Sequence, residues 1–199
     1  MSSKVDLAEH IGQLKQDLDV LQEHAETLQG LSEAILKSIR AGGKLLTCGN
    51  GGSSAEAAHF AEELTGRFYR ERKSLPGLCL SIDGTLITCI GNDYGYDEVF
   101  ARQVTSLGNP GDVLVGFSSS GNSETVIRAI EAAKERGLIT GLFLGKGGGR
   151  SKGLADYEII VKSVNPSSMR VQECHQFLMH VACEIIETGY LGIDPSAKA

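Results

Sequence analysis

Two short runs of small and polar residues carry most of the chemistry legible in this sequence. Cys48-Gly49-Asn50-Gly51-Gly52-Ser53-Ser54 follows the apolar run Lys44–Cys48 and leads into a helical pattern. Ser118-Ser119-Ser120-Gly121-Asn122-Ser123 follows Val113–Phe117 and leads into another. Glycine lets backbone approach a ligand closely, and Ser53 or Ser54 is suited to cap the helix after the first run. The hydroxyls and N–H groups of the second run make a cradle for a phosphate at a helix start. Turns from strand to helix favour Gly, Ser and Asn without any ligand. Two of them at one sheet edge, one with four serines in six residues, nevertheless point to an anion site. Neither has the Walker or GxGxxG spacing, which argues against a nucleotide.

A second set of residues can move protons or hold a metal. His59 and Glu63 are four apart on the helical pattern after the glycine run, so they share a face. Such a pair serves as an acid–base couple, as two metal ligands, or as a plain solvated pair. Spacing does not separate Glu63 from Glu62. Near the C-terminus a helical pattern carries Gln172, His175 and His180 beside the apolar stripe Val171, Cys174, Leu178, Val181 and Ile185. His175 falls within the stripe and reads as a packed histidine. Gln172 and His180 lie off it, within about 80° of each other around the axis but ~12 Å apart along it. Two long side chains just converge over that separation. A polar outer face is the plainer alternative.

The elements that must position these residues alternate. Lys44–Cys48, Gly77–Ile82, Val113–Phe117, Leu138–Leu144 and Tyr157–Val161 are the expected strands, with helices at Ser54–Leu64, Tyr96–Ser106, Glu124–Arg136 and about Ser168–Thr188. Strands alternating with helices imply βαβ units and a doubly wound parallel sheet, which binds ligands at the carboxyl ends of its strands. Ahead of them, residues 1–40 carry leucines and isoleucines at spacings of three and four. They predict two helices breaking near Gly30-Leu31-Ser32, with Ser32 as a cap and the first helix at a subunit interface. Residues 41–190 form the ligand-binding core and 191–199 a small polar tail, expected to fray.

Composition narrows the class. The chain has 199 residues, 41% of them hydrophobic and 22% charged, which suits one globular domain rather than a disordered or membrane protein. Its net charge of −6 and lack of a basic stripe argue against nucleic acid, while backbone N–H groups still let an acidic protein hold an anionic metabolite. The five cysteines are odd in number and show neither CxxC pairs nor a disulfide framework. With Cys48, Cys79 and Cys89 in or beside expected strands, reduced core thiols are expected. Residues 1–6 lack the basic and apolar regions of a signal peptide, so the expected location is cytoplasmic.

The stretches CGNGGSSAEAAHFAEELTGRF, CIGNDYGYDEVFARQV, GDVLVGFSSSGNSETVIRAI and RVQECHQFLMH together resemble the sugar isomerase (SIS) family, nearest its phosphoheptose isomerases. The resemblance runs from about Lys44 to Ile186. It implies a flavodoxin-like fold: five parallel strands with helices on both faces. It implies a homotetramer with active sites between subunits, and isomerisation of sedoheptulose 7-phosphate through an enediol. It also implies substrate contacts from Asn50, Gly51, Gly52, Glu63, Asn92, Asp93, Ser118, Ser119, Ser120, Ser123 and Gln172. A zinc ion would be held by His59, Glu63, Gln172 and His180, with Glu63 and His180 as the acid–base pair. Glu56 and Met169 stand where the family often has Asp. A non-catalytic relative that binds a replication initiator, or a module that senses a sugar phosphate, is the alternative; the presence of Glu63, Gln172 and His180 favours the enzyme.

Overall fold

The computed structural model describes residues 5–165 and 167–194. Five strands form an all-parallel sheet: β1 (Leu45–Gly49), β2 (Gly77–Cys79), β3 (Val113–Ser118), β4 (Ile139–Gly145) and β5 (Tyr157–Val161), in the order β2-β1-β3-β4-β5. The chain passes from β1 outward to β2 and from β3 outward to β4, so the crossovers diverge between β1 and β3. That divergence opens the crevice where doubly wound sheets take ligands. Gly49 pairs with Phe117, so the glycine and serine loops leave adjacent strands at the same edge.

Alternation along the strands sorts side chains to two cores. Leu45, Val113, Val115, Phe117, Phe143, Ile159 and Val161 face one layer, made by α2 (Ala25–Arg40), α3 (Gly52–Thr65) and α7 (Ser168–Leu191). Leu46, Cys48, Leu114, Leu142 and Leu144 face the other, made by α4 (Gly84–Tyr94), α5 (Ala101–Leu107) and α6 (Glu124–Glu135).

Several expectations are corrected. The N-terminal break lies in a 3-10 turn, Leu21–His24, between α1 (Leu7–Val20) and α2. Ser32 caps nothing: it is buried inside α2, where its hydroxyl donates to the Leu28 carbonyl at 2.7 Å. Gly30 instead allows close packing, since a Cβ there would stand 2.9 Å from the Tyr157 ring. The second strand stops at Cys79 because β2 is an edge strand with three paired residues, and Ile82 is exposed. Asp83 then caps a helix the apolar pattern concealed, α4, by accepting from the Leu86 N–H at 3.0 Å. The helix expected at Tyr96–Ser106 is a 3-10 turn, Tyr96–Glu98, followed by α5. All five cysteines are free and four are buried, but Cys89 is an exposed residue of α4. The end of the expected polar tail, residues 195–199, lies outside the described residues.

Candidate active site

The glycine loop is shaped by close approach. Gly51 has φ +56°, a conformation L side chains rarely adopt, and a Cβ on Gly52 would stand 2.4 Å from the Gln172 amide. Neither Ser53 nor Ser54 caps α3 as expected: its N-cap is Gly51, and Ser54 Oγ donates back to the Gly51 carbonyl at 2.7 Å. Asn50 is pinned at both ends. Its Nδ2 donates to Thr125 Oγ1 at 2.7 Å and its Oδ1 accepts from the Tyr96 hydroxyl at 3.0 Å. No spacing in the sequence marks Tyr96 or Thr125 as partners of Asn50. Their proximity to Asn50 arises only because α6 and the turn at Tyr96 meet over the end of β1.

The serine loop holds its shape with neutral bonds. Buried Ser118 donates its hydroxyl to Ser123 Oγ at 3.2 Å, and the Gly121 N–H donates to Ser118 Oγ at 3.1 Å. Gly121 has φ +64°, and a Cβ there would collide with the Gly148 carbonyl. Asn122 ties the loop to its neighbour, accepting through Oδ1 from the Arg150 N–H at 3.0 Å. Ser119 and Ser120 remain partly exposed. Helix α7 reaches over these strand ends: a Cβ on Gly145 would stand 2.5 Å from Val171 and 2.7 Å from the Ser119 carbonyl.

Further along α3 and α7 the ionisable groups meet. His59 Nε2 lies 2.8 Å from Glu63 Oε1, and the His59 and His180 rings meet edge to face with centroids 5.0 Å apart. Donor atoms of His59, Glu63 and His180 all lie within 4.8 Å of one another, a group able to hold a metal ion. Glu63 is half-buried in this cluster whereas Glu62 is exposed, so packing makes the choice that spacing left open. Burial holds the His180 imidazole below the usual histidine range, and repulsion from His59 lowers it further, against a smaller upward pull from Glu63.

Gln172 lies two helical turns before His180 on α7. Its amide donates to Ser53 Oγ at 3.4 Å, and the amide between the histidines belongs to Gln176, one turn nearer His180. Gln176 shares a helical face with both Gln172 and His180, but nothing in its residue type or spacing marks it. His175 is the buried, packed histidine expected, donating from Nε2 to the Leu144 carbonyl at 3.0 Å beside Phe117 and Phe143. Glu56 is buried 3.8 Å from its other ring nitrogen. Asn92 and Asp93 sit exposed at the end of α4, where Asn92 Nδ2 donates to Asp93 Oδ1 at 2.8 Å, and their side chains bond to neither loop.

Residues 9–141 match the SIS domain family. The phosphoheptose isomerase of Helicobacter pylori (strain P12) is 47% identical over 178 residues, covering 89% of this chain and 90% of that protein. A solved phosphoheptose isomerase from Neisseria gonorrhoeae superposes with a TM-score of 0.83 at 38% identity, covering 92% of this chain and 97% of that one. Another from Francisella tularensis gives the same TM-score at 32% identity, covering 94% and 100%. The chain therefore belongs to the SIS domain family, on its phosphoheptose isomerase branch.

Proposed function

We propose that this chain interconverts sedoheptulose 7-phosphate and D-glycero-D-manno-heptose 7-phosphate, supplying a heptose precursor for glycoconjugates. The observation that carries the reading is Glu63, a half-buried carboxylate on α3, the helix that begins at the glycine loop, gathered with His59 of the same helix and His180 of α7. Glu63 takes a proton from the first carbon of the ketose and returns it to the second through an enediol. His180 moves the proton between the two oxygens. An imidazole kept neutral by burial can accept that proton before giving it up.

Ser119, Ser120 and Ser123 hold the phosphate, with Ser118 fixing the loop beneath them. Asn50, Gly51, Gly52 and Gln172 contact the sugar chain, as do Asn92 and Asp93 at the end of α4. Holding the phosphate end aims the reacting end.

Two nitrogens and a carboxylate within 4.8 Å are a donor set zinc accepts, with a further position left for substrate. His59, Glu63 and His180 would hold it, with Gln172 as a weaker ligand that substrate could displace, and a bound zinc ion would polarise the substrate carbonyl. We place the enzyme in the cytoplasm, in keeping with its free cysteines. We read the assembly as a homotetramer with sites at subunit boundaries, supported by Leu7 and Ile11 of α1 and Met169 and Phe177 of α7, all exposed. The direct test is incubation with sedoheptulose 7-phosphate followed by NMR. Appearance of the aldoheptose phosphate supports the reading; a chain that leaves the ketose unchanged, with and without added zinc, refutes it.

A further inference from the structure

Tyr96 meets the glycine loop from outside it. Its hydroxyl lies 3.0 Å from Asn50 Oδ1, while Thr125 Oγ1 lies 2.7 Å from Asn50 Nδ2. A hydroxyl both donates and accepts, so these two hold the Asn50 amide in place whichever way it is turned. The three residues come from three segments. Asn50 follows β1, Thr125 is in the first turn of α6, and Tyr96 begins the turn after α4, three positions past Asp93. The Asn50–Thr125 contact spans the ends of β1 and β3, and Tyr96 stands beside it.

The members differ in access. Thr125 is buried and Asn50 half-buried, whereas Tyr96 is 58% exposed. Thr125 is therefore a strut, and Tyr96 is the member with surface left for another molecule. A phenol hydroxyl can both donate and accept, and the Asn50 contact uses only one of these capacities. The other is open to a hydroxyl of a sugar chain that also touches Asn50. The base under Tyr96 is firm. Gly95, at φ +92°, turns the chain out of α4, Glu98 pairs with Arg128 of α6, and Val99 and Phe100 are buried. A ring carried on a packed and ion-paired turn is already placed, so binding against it costs little ordering.

We propose that Tyr96 is a further substrate-binding residue: its hydroxyl, beside the Asn50 amide, takes a hydroxyl of the sugar chain and so reads the carbohydrate part of the substrate separately from the phosphate. The inference rests on the isomerase reading of the site and adds a residue outside the substrate contacts that the family resemblance implies.

The test removes only the Tyr96 hydroxyl. Tyr96→Phe keeps the ring and its packing. Tyr94→Phe is the control, since the Tyr94 ring lies under the Arg102 guanidinium, 3.6 Å from its centroid. Turnover of sedoheptulose 7-phosphate gives kcat and the Michaelis constant of each protein. Inorganic phosphate, a competitor with no sugar chain, gives an inhibition constant that reports the serine loop alone. Circular dichroism checks folding. The Michaelis constant of Tyr96→Phe should rise about 3- to 10-fold, the loss expected for one neutral hydrogen bond, with kcat within about twofold of wild type. Its phosphate inhibition constant, and every constant of Tyr94→Phe, should stay within about twofold of wild type. An unchanged Michaelis constant in Tyr96→Phe overturns the assignment while leaving the isomerase reading intact. So does an equal rise in Tyr94→Phe, or a parallel rise in the phosphate inhibition constant, because the loss would then not be specific to the sugar chain. A wild-type protein that leaves sedoheptulose 7-phosphate unchanged overturns both.

Discussion

The serine loop and the α3–α7 cluster are built in opposite ways. The loop is six consecutive residues without an ionisable side chain, tied by its own hydroxyls, its backbone and one glycine. The cluster joins residues 117 positions apart, His59 and Gln176, and each of its members has ionisable or strongly polar neighbours. It is also braced from behind. The Arg72 guanidinium donates to the carbonyls of Glu63 at 2.6 Å and Leu64 at 2.9 Å, and pairs with Glu187 of α7 at 3.2 Å, both side chains being 1% exposed. A phosphate needs only fixed donors, which a short turn can supply. A proton-transferring carboxylate needs neighbours that set its protonation, and those come only from other helices.

The largest effect should come from the cluster. Glu63→Gln is isosteric and removes the proposed base, so turnover should fall by roughly 10²–10⁴-fold with the circular dichroism spectrum unchanged. Glu62→Gln, on the exposed side of the same helix, should leave turnover near wild type. The reverse ranking of these two variants would move the chemistry off the α3–α7 face.

The brace should be costly to break. Removing one partner of a buried ion pair strands the other, so Arg72→Met should destabilise the fold by about 3–5 kcal/mol in urea unfolding. The control is Arg67→Ala. Its partner Glu71 lies 3.7 Å away and both side chains are mostly exposed, so the loss should stay within about 1 kcal/mol. Equal losses in the two variants would mean that Arg72 does not brace α3 against α7.

This contrast also explains what the sequence disclosed. The serine loop was legible because its residues are contiguous and its flanking runs announce a strand and a helix. The sheet was legible for the same reason, as Tyr157–Val161 matches β5 residue for residue. Helix α4 was missed because Leu80–Ile82 extends the apolar run past the three residues the edge strand can pair, masking the Asp83 cap. Glu63 and Glu62 could not be told apart, because choosing between them takes the packing of α7 on α3. Gln176 was overlooked because a glutamine carries no chemical signal until two imidazoles stand beside it. Gln172 was named only through the family resemblance, and its amide packs against Gly52 and donates to Ser53.

On the loop side, replacing Ser119 and Ser120 together by Ala should weaken substrate capture and leave the cluster alone. Hydrogen bonds to a charged group contribute about 1.5–3 kcal/mol each, so the Michaelis constant should rise at least roughly tenfold. Zinc content should not change. Loss of zinc with an unaltered Michaelis constant would show that the two regions are not separate in function.

The smallest effect is a titration, and it probes the cluster through its internal balance. His180 should titrate below the usual histidine range in the metal-free protein, chiefly because burial disfavours its charged form. Repulsion from His59 adds to the lowering and attraction to Glu63 opposes it. The folded chain therefore binds fewer protons at His180 than the unfolded chain does between the folded value and about 6.5, the unfolded one. The stability tied to His180 is thus full above the unfolded value, declines as pH falls through that window, and stops declining below the folded value. Substitutions should move the midpoint in opposite directions: Glu63→Gln removes the attraction and lowers it, whereas His59→Gln removes the repulsion and raises it. The imidazole carbon-bound proton resonances of His180, followed by NMR against pH in chelator-treated protein, report all three midpoints. A wild-type midpoint at or above the ordinary histidine value, or shifts of the same sign in both variants, would show that His180 does not share a buried environment with His59 and Glu63.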